Sequence, residues 1–140
     1  MANASEHFTT TSEHQPTKAG RFVEMNLVDK VEFLPGLTFQ PVLGENMLVN
    51  FVHFEPDTEA PVHVHVEEQL VIVVDGSFDF EIDGEVRTLS RGDLAVVPPW
   101  VPHGARTHKS SCDEIDVFNP PRTTLLGLAQ TQGHEGTAHA

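Results

Sequence analysis

The segment HVHVEEQLVIVVDG, residues 63–76, decides how the chain is read. Its second half is an aliphatic run, Leu70 to Val74, closed by Asp75-Gly76, a dipeptide that tolerates the positive φ of a tight hairpin turn. The run is far too short to span a bilayer. Its first half carries two histidines two residues apart. On a strand such residues share a face, so His63 and His65 point to one spot, and Gln69 has the same parity, with Val71 and Val73.

Outward from this segment the pattern stays β. Phe78, Phe80 and Ile82 alternate with Asp79 and Glu81, which predicts a strand with one buried face, and Asp83-Gly84 predicts the next hairpin. Arg91-Gly92-Asp93 marks a further turn, while Pro98-Pro99 and Pro120-Pro121 stop strands. Only Thr123 to Leu128 looks helical. Short β-rich runs between evenly spaced turn signals predict an all-β fold, a single jelly-roll barrel of antiparallel strands. The organisation expected is a polar N-terminal arm over residues 1–20, the barrel over 21–128 and a flexible tail over 129–140.

The 140 residues are enough for one core, and the net charge of −13 argues against nucleic acid or an anionic membrane as partner. A small-molecule substrate is the partner expected. The single cysteine, Cys112, excludes an intrachain disulfide and fits a reducing compartment. No signal peptide is read at the N-terminus, so a cytoplasmic protein is expected.

His103 follows the Pro98 to Pro102 turn. Three imidazoles and an amide oxygen, from His63, His65, His103 and Gln69, suit Zn, Fe, Ni, Cu or Mn, and not Mg or Ca, which prefer oxygen shells. The plainer alternative is a set of surface histidines in an acidic chain that has nine of them. The spacing bears on that choice. His63-x-His65, with Gln69 four residues on and Gly76 seven further, resembles the first motif of the cupin superfamily. Gly92, Pro98 and His103 resemble the second, and fifteen residues separate the two glycines, as in small bacterial cupins. The resemblance covers roughly residues 45–122 and implies one divalent ion, zinc first, with iron, nickel or manganese as alternatives. Four positions depart from the pattern: Asp57 and Trp100 stand where the motifs carry Gly, Thr107 where the second carries Asn, and Gln69 where the first carries a ligand Glu. An amide neutralises none of the ion's charge, so the site should be a strong electrophile that accepts anions.

Asp116-Val-Phe118-Asn-Pro-Pro-Arg122 resembles the closing strand of the small sugar-ketonising cupins of pectin breakdown, which also carry Gln at the ligand position. That resemblance makes Asp116 a candidate acid/base and Phe118 a pocket wall; otherwise Asp116 is an exposed residue of an edge strand. Arg122 either binds a carboxylate bidentately or pairs with an acidic neighbour. Over its whole length the chain is similar to zinc-containing monocupin polyketide cyclases of bacterial aromatic polyketide (antibiotic) pathways. That likeness implies a Phe-rich pocket, with Phe51 and Trp100 among its wall candidates. His53 is read as a fifth ligand or pocket acid/base if it shares an inward face with Val49 and Phe51, and as a surface residue otherwise.

The function expected is a metal-dependent, non-redox cyclase or lyase. The leading reaction is aldol-type cyclisation and dehydration of a poly-β-ketone through a metal-stabilised enolate. Ring opening and tautomerisation of unsaturated uronic acids comes second, then a cupin oxygenase, then a non-catalytic small-molecule-binding cupin. A homodimer is expected, because both faces of the Leu70–Val74 run are apolar and need cover.

Overall fold

The computed structural model describes residues 4–132. Nine strands follow one another: β1 (Val31–Leu34), β2 (Leu37–Leu43), β3 (Leu48–Phe54), β4 (Glu59–His63), β5 (Glu68–Ile82), β6 (Glu85–Ser90), β7 (Leu94–Val97), β8 (His103–Arg106) and β9 (Cys112–Asn119). Two short 3-10 turns precede the strands, and an α-helix, α1 (Thr123–Gln132), closes the described chain. The strands pair antiparallel in the order β1-β2-β3-β9-β5-β8-β4, and β6 and β7 also pair with β5. This is the antiparallel jelly-roll barrel expected from the turn spacing.

The 15-residue strand β5 organises the barrel. Its first half pairs with β7 and β9, its second half with β6 and β8. Asp75-Gly76 is therefore not a hairpin turn, and that expectation is corrected. Gly76 has φ 76°, and the register with β9 shifts between Val73 and Asp75. The extra residue bends β5 from one sheet into the other and exchanges its faces: Gln69, Val71 and Val73 are buried before it, Phe78 and Phe80 after it. Asp83-Gly84 is the true hairpin, with φ of 49° and 87° at its two central residues, as a twisted antiparallel pair requires.

Val52, Phe54, Val71, Val73, Phe78, Phe80 and Val97 fill the interior. A second cluster of Leu48, Phe118 and Leu125 seats α1 against the barrel. The segment before β1 lies largely exposed, but it is tied down. The Arg21 guanidinium donates to the Leu43 carbonyl at 2.6 Å, and the Gln40 amide donates to the carbonyls of Met25 and Val28. The helix runs past its predicted end at Leu128 to Gln132; the rest of the expected tail, with His134 and His139, lies outside the described residues. Among the described residues no helix is long and apolar enough to cross a membrane.

Candidate metal centre

Strand register brings the histidines together. His63 ends β4 and stands opposite His103, the first residue of β8, with ring centroids 4.3 Å apart. His65 follows in the loop, 4.8 Å from the His103 ring. The ligating nitrogens of the three all lie within 4.8 Å of one another.

Hydrogen bonding fixes the tautomers. Each Nδ1 lies against a backbone carbonyl two residues away: His63 to Pro61 at 2.8 Å, His65 to Glu67 at 3.0 Å and His103 to Val101 at 2.9 Å. A carbonyl only accepts, so the ring proton sits on Nδ1 and each Nε2 offers a lone pair. Both His65 Nε2 and His103 Nε2 lie 3.0 Å from Gln69 Oε1, while the Gln69 amide nitrogen donates to Asp116 Oδ1 at 2.9 Å. That last bond leaves only the amide oxygen for the histidines. Lone pairs therefore converge with no proton between them. Such an arrangement needs a positive charge at its centre, and a divalent ion bound by three imidazoles and an amide oxygen fits it. Burial keeps the His65 and His103 rings neutral and ready to ligate. It holds His65 below the usual imidazole range and pushes His103 down to about 4.

On β9 every second residue points inward, placing Cys112, Glu114, Asp116 and Phe118 inside the barrel. Phe118 meets the His65 ring edge-on at 5.7 Å, and the Arg122 guanidinium lies 5.7 Å over the Phe118 ring. Burial raises the Asp116 carboxyl and drives that of Glu114, its neighbour, higher still. Burial likewise lowers Arg122. Together His63, Gln69, His103, Glu114, Asp116 and Arg122 line a cavity of about 70 Å³. A larger cleft of about 490 Å³ lies around β6 and β7, lined by Ile82, Asp83, Glu85 and Arg87 among others; no histidine lines it.

Three expected residues are not brought inside the barrel. His53 does share a face with Val49 and Phe51, but that face is the outer one. The inward residues of β3 are Leu48, Asn50, Val52 and Phe54. His53 instead sits between two carboxylates, with Nδ1 2.6 Å from Asp113 and Nε2 3.1 Å from Glu55, and the Asp113 bond raises its pKa above the usual range. Phe51 looks outward beside Ile115. Trp100 is 62% exposed; only its backbone N–H reaches the site, donating to the His65 carbonyl at 2.9 Å. His108 also lies outside, 2.8 Å from Asp79.

Two interior polar residues escaped the sequence reading. Glu114 has the parity that marks Asp116 and Phe118, so the signal was present. Asn50 is fully buried opposite Asp116, with neither amide atom partnered among the described residues. The departures from the motifs also find an account. Asp57 and Trp100 hold φ of 54° and 67°, so both keep the left-handed backbone that the motif glycines imply. Thr107 is fully buried and braces the loop ahead of β4, donating to the Glu55 carbonyl at 2.6 Å and accepting the Thr58 N–H at 2.9 Å.

Comparison with known proteins agrees with this geometry. The family described as "Cupin domain" matches residues 50–115. Gentisate 1,2 dioxygenase 1 of Aquipseudomonas alcaligenes is 32% identical over 105 residues, 71% of this chain, but the chain spans only 29% of that protein's length. Pectin degradation protein KdgF of Dickeya dadantii is 30% identical over 84 residues, covering 59% of this chain and 76% of that one. Among solved structures, KdgF from Halomonas sp. superimposes with a TM-score of 0.73 at 31% identity, covering 77% of this chain and 100% of the other. The polyketide cyclase RemF from Streptomyces resistomycificus superimposes with a TM-score of 0.66 at 18% identity, over 72% and 80% of the two chains, a likeness of fold alone.

Proposed function

The chain belongs to the cupin domain family, and from that premise we propose that it is a metal-dependent, non-redox enzyme that opens and ketonises unsaturated uronic acids. One observation carries the reading. Gln69 turns its amide oxygen to the histidines and its amide N–H to Asp116, so the metal seat and the acid/base carboxylate form one unit.

His63, His65, Gln69 and His103 would hold a divalent ion, zinc in this reading, which would supply a Lewis acid. Arg122 binds the substrate carboxylate, its guanidinium held over Phe118. Asp116 takes the hydroxyl proton whose loss opens the ring and forms the carbonyl. Phe118 and the apolar wall behind it exclude water. The lone, buried Cys112 fits a reducing compartment, and a cytoplasmic homodimer is part of the proposal.

The test is direct. Metal-loaded protein given an unsaturated uronate should erase the absorbance of its conjugated double bond without oxygen uptake. A trace no faster than buffer sinks the reading. Oxygen uptake with gentisate or a similar aromatic acid would favour instead the oxygenase chemistry of the Aquipseudomonas relative. Cyclisation of a poly-β-ketone has less support, since its structural counterpart shares the fold alone.

A further inference from the structure

The cavity holds a second carboxyl to which the reading above gives no part. Glu114 precedes Asp116 by two residues on β9 and shares its inward face. It is 5% exposed and lines the cavity, yet its Oε1 has no hydrogen-bond partner among the described residues. Its cross-strand neighbours, Val52 and Val73, are apolar. The ionisable groups around it are Asp116 and Cys112 on its own strand, with Arg122, His63 and His103 across the cavity.

A charged Glu114 would stand unpaired in an apolar wall beside another carboxylate. Glu114 Oε1 has no N–H to hold a charge, whereas Asp116 has that of Gln69, so Glu114 is the member of the pair that keeps its proton. The two carboxyls are hydrogen-bonded to each other. Two carboxyls whose surroundings separate their proton affinities form an acid and a base side by side.

We propose that Glu114 is the proton donor of this site, working with Asp116 as acceptor in the enol-to-ketone step. The inference rests on the uronate reading. Ring opening passes the hydroxyl proton through Asp116 to the departing ring oxygen, which gives the enol and leaves Asp116 ionised. The enol O–H bond then breaks and its proton returns to Asp116, while the oxygen lone pair becomes the carbonyl π bond. The carbon–carbon π pair takes the Glu114 proton and forms the new C–H bond. The enol and the ketone are isomers, and the pair ends with its proton on Asp116 and its charge on Glu114. The hydrogen bond between them returns the proton and resets the site, so no outside acid or base is consumed.

Glu114→Gln keeps shape and burial but cannot give up a proton. In the metal-loaded protein this variant should lose about a hundredfold or more in kcat on unsaturated uronate. KM, metal content and the calorimetric affinity for galacturonate, a saturated uronate that does not react, should be unchanged. The infrared carbonyl band of a protonated buried carboxyl should be present in the parent and missing from the variant. Turnover in heavy water should place deuterium on the carbon beside the new carbonyl. A variant as fast as its parent overturns the proposal, as does a parent without the infrared band. Loss of metal or of galacturonate binding in the variant would assign Glu114 a structural role and overturn it equally. Failure of the parent itself to act on the uronate removes the reading and the donor together, whereas an active parent with an unimpaired variant removes the donor alone.

Discussion

At the residue scale, Gln69 does what a glutamate could not. Its amide accepts on one side and donates on the other, and so holds Asp116 while facing His65 and His103. In Gln69→Glu the metal-facing oxygen survives, the N–H bond is lost, and a second negative charge meets Asp116. We expect metal content to hold and turnover to fall by about tenfold or more, since charge placement in a dry site is worth several kcal/mol. Elemental analysis beside steady-state rates decides it; an equally fast variant would make the amide incidental. The ligand set has its own test. A His65→Ala, His103→Ala double variant should purify without metal and should lose the rise in melting temperature that added metal gives the parent, because an ion that binds only the folded state stabilises it. Full occupancy in that variant would refute the centre. These four positions stood out in the sequence through motif spacing; strand parity was not the reason, since β4 ends at His63 and His65 lies in the loop before β5. Glu114 shares the parity of Asp116, but in the run Asp113-Glu114-Ile115-Asp116 acidic and apolar side chains do not alternate, so nothing marked which carboxylates face inward until β3 and β5 close over the strand.

At the scale of elements, parity is informative only where the two faces differ. On β3 they do not: Val49 and Phe51 are apolar and point out, while Asn50 is polar and points in. The sequence therefore offered no contrast to orient the strand, and His53 followed the wrong face. Its actual surroundings predict a pH effect. The folded pKa lies above the unfolded value of 6.5, so the stabilisation is full below 6.5 and is lost as pH rises through the folded value. His53→Gln should therefore cost more stability at pH 6 than at pH 9. The imidazole is 38% exposed, so the difference should stay within about 1 kcal/mol, as for other solvated pairs. Urea midpoints at the two pH values measure it, and a cost that grows with pH would contradict the assignment. The other misread element is the bend in β5. The Gly signal was right and its meaning was not, since positive φ serves a bulge as well as a hairpin. A Cβ at Gly76 would lie 2.1 Å from the Ser111 carbonyl oxygen, a backbone atom that cannot swing aside, and φ there is 76°. Gly76→Ala should destabilise by more than the roughly 1 kcal/mol of the conformational cost alone, to the point of poor soluble yield. A melting temperature equal to the parent's would show that the bend has other support.

At the scale of the whole molecule, part of the outer face of one sheet is apolar, beyond the polar end where Thr38, Gln40, His53 and Asp113 lie. Val42, Val49, Val117, Leu70 and Val96 stand in register across β2, β3, β9, β5 and β7. Phe51, Ile115, Ile72 and Leu94 form the neighbouring row. Leu94 and Val96 are each 51% exposed, and Val74 beyond them 46%. A contiguous apolar sheet face marks an interface, and a second copy related by a two-fold axis supplies a matching surface, which is the reason for expecting a homodimer. Charge makes the expectation specific. Each chain carries −13, so two copies repel at long range and only apolar contact can hold them. Added salt screens that repulsion and leaves the apolar contact intact, so the dimer should tighten as ionic strength rises, opposite to an interface built on ion pairs. Ile72→Glu sets a charge in the middle of the patch and should yield monomers. The metal centre lies on the opposite side of that sheet, inside the barrel, so the monomeric variant should keep its metal. Light scattering across a salt series, with elemental analysis of the separated species, tests each part. A parent that is monomeric at micromolar concentration in high salt refutes the dimer. An Ile72→Glu variant that loses metal with its partner would mean that the barrel needs the second copy to hold its shape.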